Sequence, residues 1–527
     1  MELQRKITSV IVIILITALL FYCGTLEIQT PEEEVTETAW YNRSDTIYFW
    51  YSDESMTDYI NKAAVDFGEL NNVHVLPMLI THDNYLEAVN EASVENNELP
   101  DAYILGHESL EMAYMTGLAA RVNDPEGYLS AENFSEAAIN AVTYDGMLVG
   151  YPLSYDTCVL VYNEDYLHDW ANQKALAILK GEGDTYEDGE YFQEIDSSLS
   201  TDDVNSDTRE DSGTEETAGE GESDSSGDFV TDYSATESFD EEYGEEYEEP
   251  EIDYDSLTEE EQALVLEKKT DEVFKDAIPD TLNSLLTIAD SYSASAGVDG
   301  VMSWDVTDIL YNFWIIGDVV NLGGPSGDDE TNIFFNNENT QTCLLRYQYL
   351  HNFFNIDSAL TSYDKVIQDF IDGRMIFTIA SVDAVKKLKD AKEEGTFAHE
   401  YGFALIPEVN EETRSRSMSM TEVVVVNGYS EKKDIANAFA RYLTGDFANE
   451  LYPRTGKAAC NIHANADYAG LDVFDAEYAG SVPLTKIIEL ENFWMELEAL
   501  FARIWDGEDV ETELSNLDNT VDLFFTK

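Results

Sequence analysis

The chain has 527 residues, 44% of them apolar, enough for a substantial core in two or three domains. It carries 108 acidic against 28 basic residues, a formal net charge of -80. A surface of that sign repels phosphate backbones and anionic lipid headgroups, which excludes nucleic-acid binding.

At the N-terminus Arg5 and Lys6 precede an uncharged run from Ile7 to Cys23. A basic start followed by an apolar stretch is the pattern of an export signal, and this run is at the lower limit for spanning a bilayer. Leu20-Phe21-Tyr22-Cys23-Gly24 resembles a bacterial lipobox, although Tyr22 stands where signal peptidases want a small residue. Two readings of residues 1–24 stay open: a cleaved signal with Cys23 lipidated, or an uncleaved anchor. Both tether the chain outside the cell, with the basic end inside. The other cysteines, Cys158, Cys343 and Cys460, are scattered with no CxxC spacing. They read as buried free thiols rather than as a zinc or dithiol site.

Residues 25–44 are polar and read as a linker. Folded structure is expected from Asp45. Thr46–Tyr51 is a β-type run, Met56–Leu70 has helical spacing, Val73–Met78 is a second strand, Asn84–Asn96 a second helix and Asp101–Gly106 a third strand. That alternation predicts an α/β fold on a mostly parallel sheet. A helix stopped by Gly117 and a second short helical stretch come next. The Asp145-Gly146 turn then predicts a hairpin leading into Tyr151-Pro152, and a buried strand ends at Tyr162-Asn163.

Residues 181–260 then hold 32 acidic residues and a single basic one, Arg209. Such a segment cannot bury enough apolar surface to offset its ordering entropy, so it is expected to be a disordered acidic insertion. It lacks the spacing of an EF-hand loop. Order resumes by Leu257. Asp280-Thr281-Leu282 opens a helix, Tyr311–Gly323 is apolar, and Thr340–Asn355 is helical. Val366–Ile379 passes from helix to strand through Phe370-Ile371-Asp372-Gly373-Arg374-Met375, with Gly373 at the helix stop. Strands are expected at Tyr401–Pro407 and Glu422–Val426, a helix at Lys432–Thr444, and helix again over Val482–Phe525 with a break near Gly507.

The order of these stations resembles the family 1 extracellular solute-binding proteins, the maltodextrin-binding-like receptors of ABC importers. The stretch Pro100-Asp101 to Tyr162-Asn163, the Phe-x-x-Gly-Arg step at 370–374 and the helix at 432–444 carry the resemblance. It implies a two-lobed periplasmic-binding-protein fold of type II character, with hinge segments and the long acidic insertion. Lobe one would be residues 45–154 and 425–465; lobe two would be 155–424 and 466–527, interrupted by the insert. The chain would cross between lobes near Ser154–Thr157, return near Met420–Val424, and cross again after about Ile462. The function implied is capture of a small solute, most readily a carbohydrate, for ABC permease membrane subunits. Neither cofactor nor metal is implied, and the protein is expected to be a monomer tethered to the outer face of the membrane.

The chain lacks GxSxG, HExxH, P-loop and GxGxxG motifs. The strongest enzymatic alternative, a glycosidase with two carboxylates across a cleft, has no specific support in a chain this acidic. A surface sensor or adhesion module on the same fold is a further alternative. As a receptor, the chain needs polar groups at strand ends and aromatic faces on the cleft walls.

The resemblance places a polar contact at Asp53, with Trp50 and Tyr51 beside it. The competing reading makes Trp50 core and Asp53 a helix cap. An acidic contact falls on Glu108, which also reads as a solvated first-turn acid, and another falls on Asp156 next to Tyr155. Near the C-terminus Trp494 falls where a stacking Trp is expected, and Trp304 and Tyr311 flank the region where lobe two adds aromatic contacts; core packing competes at all three. One departure stands out. Where the family has Gly and then a stacking Trp, this chain has Ser381-Val382-Asp383-Ala384. Asp383 removes stacking area and adds charge, which favours a smaller, charged or amino-bearing solute over a long maltodextrin.

Overall fold

The computed structural model describes residues 46–182, 190–193, 195 and 254–525, apart from 83, 96–98, 294–296 and 355. Cys23, the N-terminal apolar run, the linker 25–44 and most of the acidic insert lie outside the described residues. Strands in chain order are β1 (Thr46–Tyr51), β2 (His74–Leu79), β3 (Ala102–Gly106), β4 (Thr143–Tyr144), β5 (Met147–Leu148), β6 (Tyr151–Asp156), β7 (Cys158–Asn163), β8 (Asn321–Leu322), β9 (Ile333–Phe334), β10 (Phe377–Ser381), β11 (Tyr401–Ala404), β12 (Met418–Val426), β13 (Ala458–Ala459) and β14 (Val482–Pro483).

The first lobe is built on a seven-stranded sheet in the order β13-β6-β12-β3-β1-β2, with β14 paired to the start of β12. β1 pairs in parallel with β2 and β3, as the β-α-β alternation predicts, but β12 runs antiparallel between β3 and β6. The sheet is therefore mixed rather than mostly parallel. The reason is topological: β6 carries the chain out of this lobe and β12 brings it back, so the two must run in opposite directions. The β6–β12 register shifts between Glu422 and Val423, and Val423 pairs with Pro152. Proline has no N–H to give to the ladder, and a bulge is where a sheet accommodates that.

Both faces of this sheet are buried, so its strands are apolar nearly throughout. Along β1, Ile47, Phe49 and Tyr51 face one core while Trp50 faces the other. Along β12, Val424 and Val426 face the first core, and Val423 and Val425 the second. Helices Thr57–Asn71 and Lys433–Thr444 cover the first face, where Phe49 and Phe67 both pack on Phe439 at ring distances of 5.1 and 5.2 Å.

The second lobe holds the three-stranded antiparallel sheet β10-β7-β11 and an aromatic helical core. On β7, Val159 and Val161 face the first core, while Cys158 and Leu160 face this one. Its centre is a cluster of rings in which Trp304 and Tyr347 pack against Trp505 at 5.2 and 5.0 Å. Helix Leu282–Ser291 starts with a Thr281–Ser284 capping box, and helix Tyr363–Ile371 stops before Gly373 at φ 72, a left-handed geometry that glycine adopts without strain. The expected helix over 482–525 divides at Gly507 into Phe493–Trp505 and Val510–Phe525, and its first residues form β14 instead.

The expected insert, 181–260, has folded margins. Phe192 is buried, with its ring 5.4 Å from that of Tyr349. Tyr254 is buried too, and helix Glu259–Asp276 begins with a Thr258–Glu261 capping box. Aromatic side chains with a core to enter, and a helix with its own cap, outweigh the acidity of the flanking residues. Cys158, Cys343 and Cys460 are free and buried. Among the described residues no helix is long and apolar enough to cross a membrane.

Candidate functional site

A cleft of about 480 Å³ opens where the strand ends of the first lobe meet the second. Its walls come from both lobes: Gly106 and Glu108 after β3, Ser154–Asp156 at the end of β6, Met420–Glu422 of β12, Thr455–Lys457 before β13, and Val382–Asp383 at the head of helix Asp383–Glu394. Strand ends at a lobe boundary are where α/β folds place ligands. A larger hollow of about 660 Å³ beside Phe192, Asn283 and Arg346 lies away from this boundary.

Asp156 occupies the crossing itself. Its Oδ1 accepts the N–H of Thr157 at 3.0 Å and that of Val382, from the second lobe, at 3.1 Å. Burial and the nearby charge of Asp383 raise its pKa to about 7, against the pull of the two N–H donors. Tyr155 beside it is 3% exposed, because its ring is stacked on Tyr478 at 4.1 Å and its hydroxyl donates to Asp475 at 2.6 Å. Tyr155 therefore contributes an edge to the cleft wall and no open face.

Glu108 lies in the first turn after β3, where a Cβ on residue 106 would meet its carboxylate at 2.1 Å. Gly106 is what allows that carboxylate to fold back over the strand end. The Glu108 side chain is 42% exposed, and desolvation between the cleft walls, followed by the charge of Glu422, raises its pKa. The neighbouring His107 is 3.8 Å away but cannot act as a cation. It is fully buried, its Nδ1 accepts the Thr421 N–H at 3.1 Å, and burial beside Lys486 lowers its pKa to about 3.

Asp383 reaches the cleft rim and is turned aside. It accepts from the Tyr363 hydroxyl and from Ser381 Oγ, and pairs with Lys387 at 2.7 Å. Asp53 accepts the Ser55 N–H at 2.8 Å, which caps the turn Glu54–Met56, and it also pairs with Lys457 at 2.9 Å. Both the cap and a place beside the site are thus realised in Asp53.

Five of the expected contacts are elsewhere. Trp50 packs in the core beneath the far face of the sheet, and Tyr51 is buried on the near face with its hydroxyl on Thr57 Oγ1 at 3.2 Å. Adjacent strand residues point to opposite faces, so the two could not share one cleft. Trp304 is fully buried, donating Nε1–H to Asn312 at 2.8 Å, and Tyr311 is also core. Trp494 packs against Phe313 at 5.8 Å on the outer helical layer, away from the cleft lining. For Trp50, Tyr51, Trp304 and Tyr311 the gain from burying a large ring in the core decides the placement.

Sequence reasoning missed Lys457, Glu422 and Ser154. Lys457 pairs with Asp53 and with Glu422 at 3.2 Å, and Glu422 accepts the Ser154 hydroxyl at 2.5 Å. Burial alone would lower the Lys457 pKa, but Glu422 and Asp53 outweigh it and raise it. No local motif marks these residues; only the antiparallel return of β12 and β13 beside β6 brings them together.

A second seam joins the lobes behind the cleft. Lys486, 1% exposed, donates Nζ–H to the carbonyl of Asn140 at 3.0 Å and to that of Ser326. Burial lowers its pKa to about 7, against the attraction of Asp328 and Glu108. Asp328 in turn accepts the Asp145 N–H at 2.6 Å, and His107 Nε2 lies 3.1 Å from the carbonyl of Leu484.

No protein-family model and no curated protein sequence matches the chain. Solved structures do. A cyclo/maltodextrin-binding protein complexed with maltotetraose aligns over 92% of this chain and 98% of its own, with a TM-score of 0.62 at 13% identity. An extracellular solute-binding protein of Staphylococcus aureus in complex with maltose aligns over the same shares, with a TM-score of 0.62 at 14% identity. The maltose-binding periplasmic protein MalE of Listeria monocytogenes, also in complex with maltose, covers 92% of this chain and 99% of its own, with a TM-score of 0.61 at 18% identity. The chain therefore has the two-lobed fold of the extracellular solute-binding proteins, in the form seen in the maltose- and maltodextrin-binding structures.

Proposed function

We propose that the protein is the extracytoplasmic substrate-binding component of an ABC importer, taking a small solute into the inter-lobe cleft and delivering it to permease membrane subunits. The observation that carries this reading is the cleft itself: its polar walls come from strand ends of one lobe and a helix head of the other, and Asp156 touches both. Ligand contacts that exist only when the lobes are together favour the closed state, which is the form a permease would recognise. A carbohydrate is the first class to test, because the solved structures of this fold named above hold maltose or maltotetraose. On this reading the N-terminal run tethers the receptor to the outer face of the membrane, through lipidated Cys23 or an uncleaved helix, and the protein catalyses no reaction.

The test is thermal unfolding of the full chain against mono- and oligosaccharides, amino sugars and polyamines. A ligand that binds only the folded state raises the midpoint, by about 2.7 kcal/mol of stabilisation at a hundredfold excess over Kd. A shift with one class that disappears in Asp156→Ala supports the receptor reading. A shift unchanged in that variant sinks the placement of the site.

A further inference from the structure

We infer that the solute carried in this cleft bears a protonated amine, seated between the carboxylates of Asp156 and Glu108. The inference rests on the cleft being the ligand site proposed above. It follows from an inventory of which cleft groups are already satisfied.

The donors are largely committed, the Ser55 hydroxyl apart. The Ser154 hydroxyl gives its proton to Glu422 at 2.5 Å, and the Thr455 hydroxyl gives its own to the Leu451 carbonyl at 2.8 Å. The Thr421 hydroxyl is shared with that of Tyr478 at 2.8 Å. The one ammonium among the described residues of the lining, Lys457, sits between Asp53 and Glu422 at 2.9 and 3.2 Å. Asp383, the acid that the sequence singles out, is satisfied by Lys387, Tyr363 and Ser381.

The acceptors are less committed: the Glu108 carboxylate takes only its own backbone N–H. Asp156 uses Oδ1 for both of its N–H partners, which leaves Oδ2 to the cavity it lines. Glu108 lines the same cavity, and its adjacent imidazole is held neutral by accepting the Thr421 N–H. Among the described residues the lining also lacks an open aromatic face, since Tyr155, the one ring there, is covered by Tyr478. A neutral sugar would find little to stack on, and its acceptor oxygens few free donors. Closing the lobes over two carboxylates that have no ammonium or guanidinium partner of their own would also carry a desolvation penalty. An ammonium on the ligand supplies N–H donors and a directly paired positive charge together.

Calorimetric titration of the full chain tests this with D-glucosamine and spermidine as amine probes and N-acetyl-D-glucosamine, D-glucose and maltose as neutral ones. The expected result is binding of at least one amine probe about tenfold or more tighter than every neutral probe. The glucosamine and spermidine arms then separate an amino sugar from a polyamine. Asp156→Asn and Glu108→Gln are each expected to weaken amine binding about tenfold. Glu108→Gln changes a half-exposed side chain, so it reports even where Asp156→Asn folds poorly. Binding of the neutral probes as tight as or tighter than the amines overturns the amine inference and leaves the receptor reading standing. The absence of binding by all five probes counts against the receptor reading and takes this inference with it.

Discussion

Asp156 and Val382 join the two lobes through one hydrogen bond, from the Val382 N–H to Asp156 Oδ1 at 3.1 Å. Asp156 ends the strand that leaves the first lobe, and Val382 stands just before the second lobe's helix Asp383–Glu394. That contact is one of the links between the lobes, and a ligand on the other oxygen of the same carboxylate would act on it directly.

Asp156→Asn keeps the accepting oxygen and removes the charge. Because burial raises the folded-state pKa of Asp156 to about 7, above its usual carboxylate value, ionising it opposes folding. Stability from this group is fully present below the unfolded carboxylate pKa and is lost as pH rises through 7. The Asn variant is therefore expected to be more stable than the parent at pH 8, by about 1 to 2 kcal/mol after allowance for solvent in the open cleft. The difference should vanish near pH 4, as read by denaturant midpoints at both pH values. A variant less stable than the parent at pH 8 contradicts the assignment.

Lys457→Met leaves Asp53 and Glu422 facing the cleft without their cation. The expected cost is about 1 to 3 kcal/mol, less than for a fully buried pair because all three side chains are partly exposed. Amine binding should strengthen, since Asp53 and Glu422 then lack the cation that now pairs with them. Unfolding midpoints and titration of the same preparation check both halves.

Gly106→Ala would put a methyl against the Glu108 carboxylate. The clash is with the end of a flexible side chain, so the fold should survive within about 1 kcal/mol while Glu108 is pushed off its present position. Ligand affinity should fall with little change in melting temperature. A large loss of stability with unchanged affinity would mean that Glu108 has no part in the site.

Trp304→Ala and Trp494→Ala separate core from cleft. Trp304 is fully buried among Phe354 and Trp505, and its removal should cost about 3 to 5 kcal/mol. Trp494 is partly buried against Phe313 and should cost less. Neither lines the cleft, so the Trp494 variant is expected to keep ligand affinity within about twofold, well under the 1.4 kcal/mol that a tenfold change represents. A tenfold loss in that variant would mean that the helix Phe493–Trp505 reaches the ligand in the closed form.

Local pattern carried the elements. The apolar period of Thr46–Tyr51 and Lys433–Thr444, the capping residues around Thr281, the Gly373 stop and the Asp145-Gly146 turn are decided within a few residues of chain, so the sequence alone places them. Asp156 and Glu108 came from the family resemblance, which set them at strand ends, and both line the cleft. Contacts between segments far apart in sequence decided the rest. Whether Trp304 stacks on a ligand or fills a core depends on Trp505, about two hundred residues away. Asp383 was legible as a charge, but Lys387 and Tyr363 decide that it is spent. Lys457 and Glu422 became site residues only through the return of β12 and β13 beside β6, and the side chains themselves carry no local mark of it. Sequence thus determined where the backbone is helical or extended and which strand ends are polar. Burial and pairing, which depend on what long-range packing brings within reach, determined which of those polar groups remain free to bind.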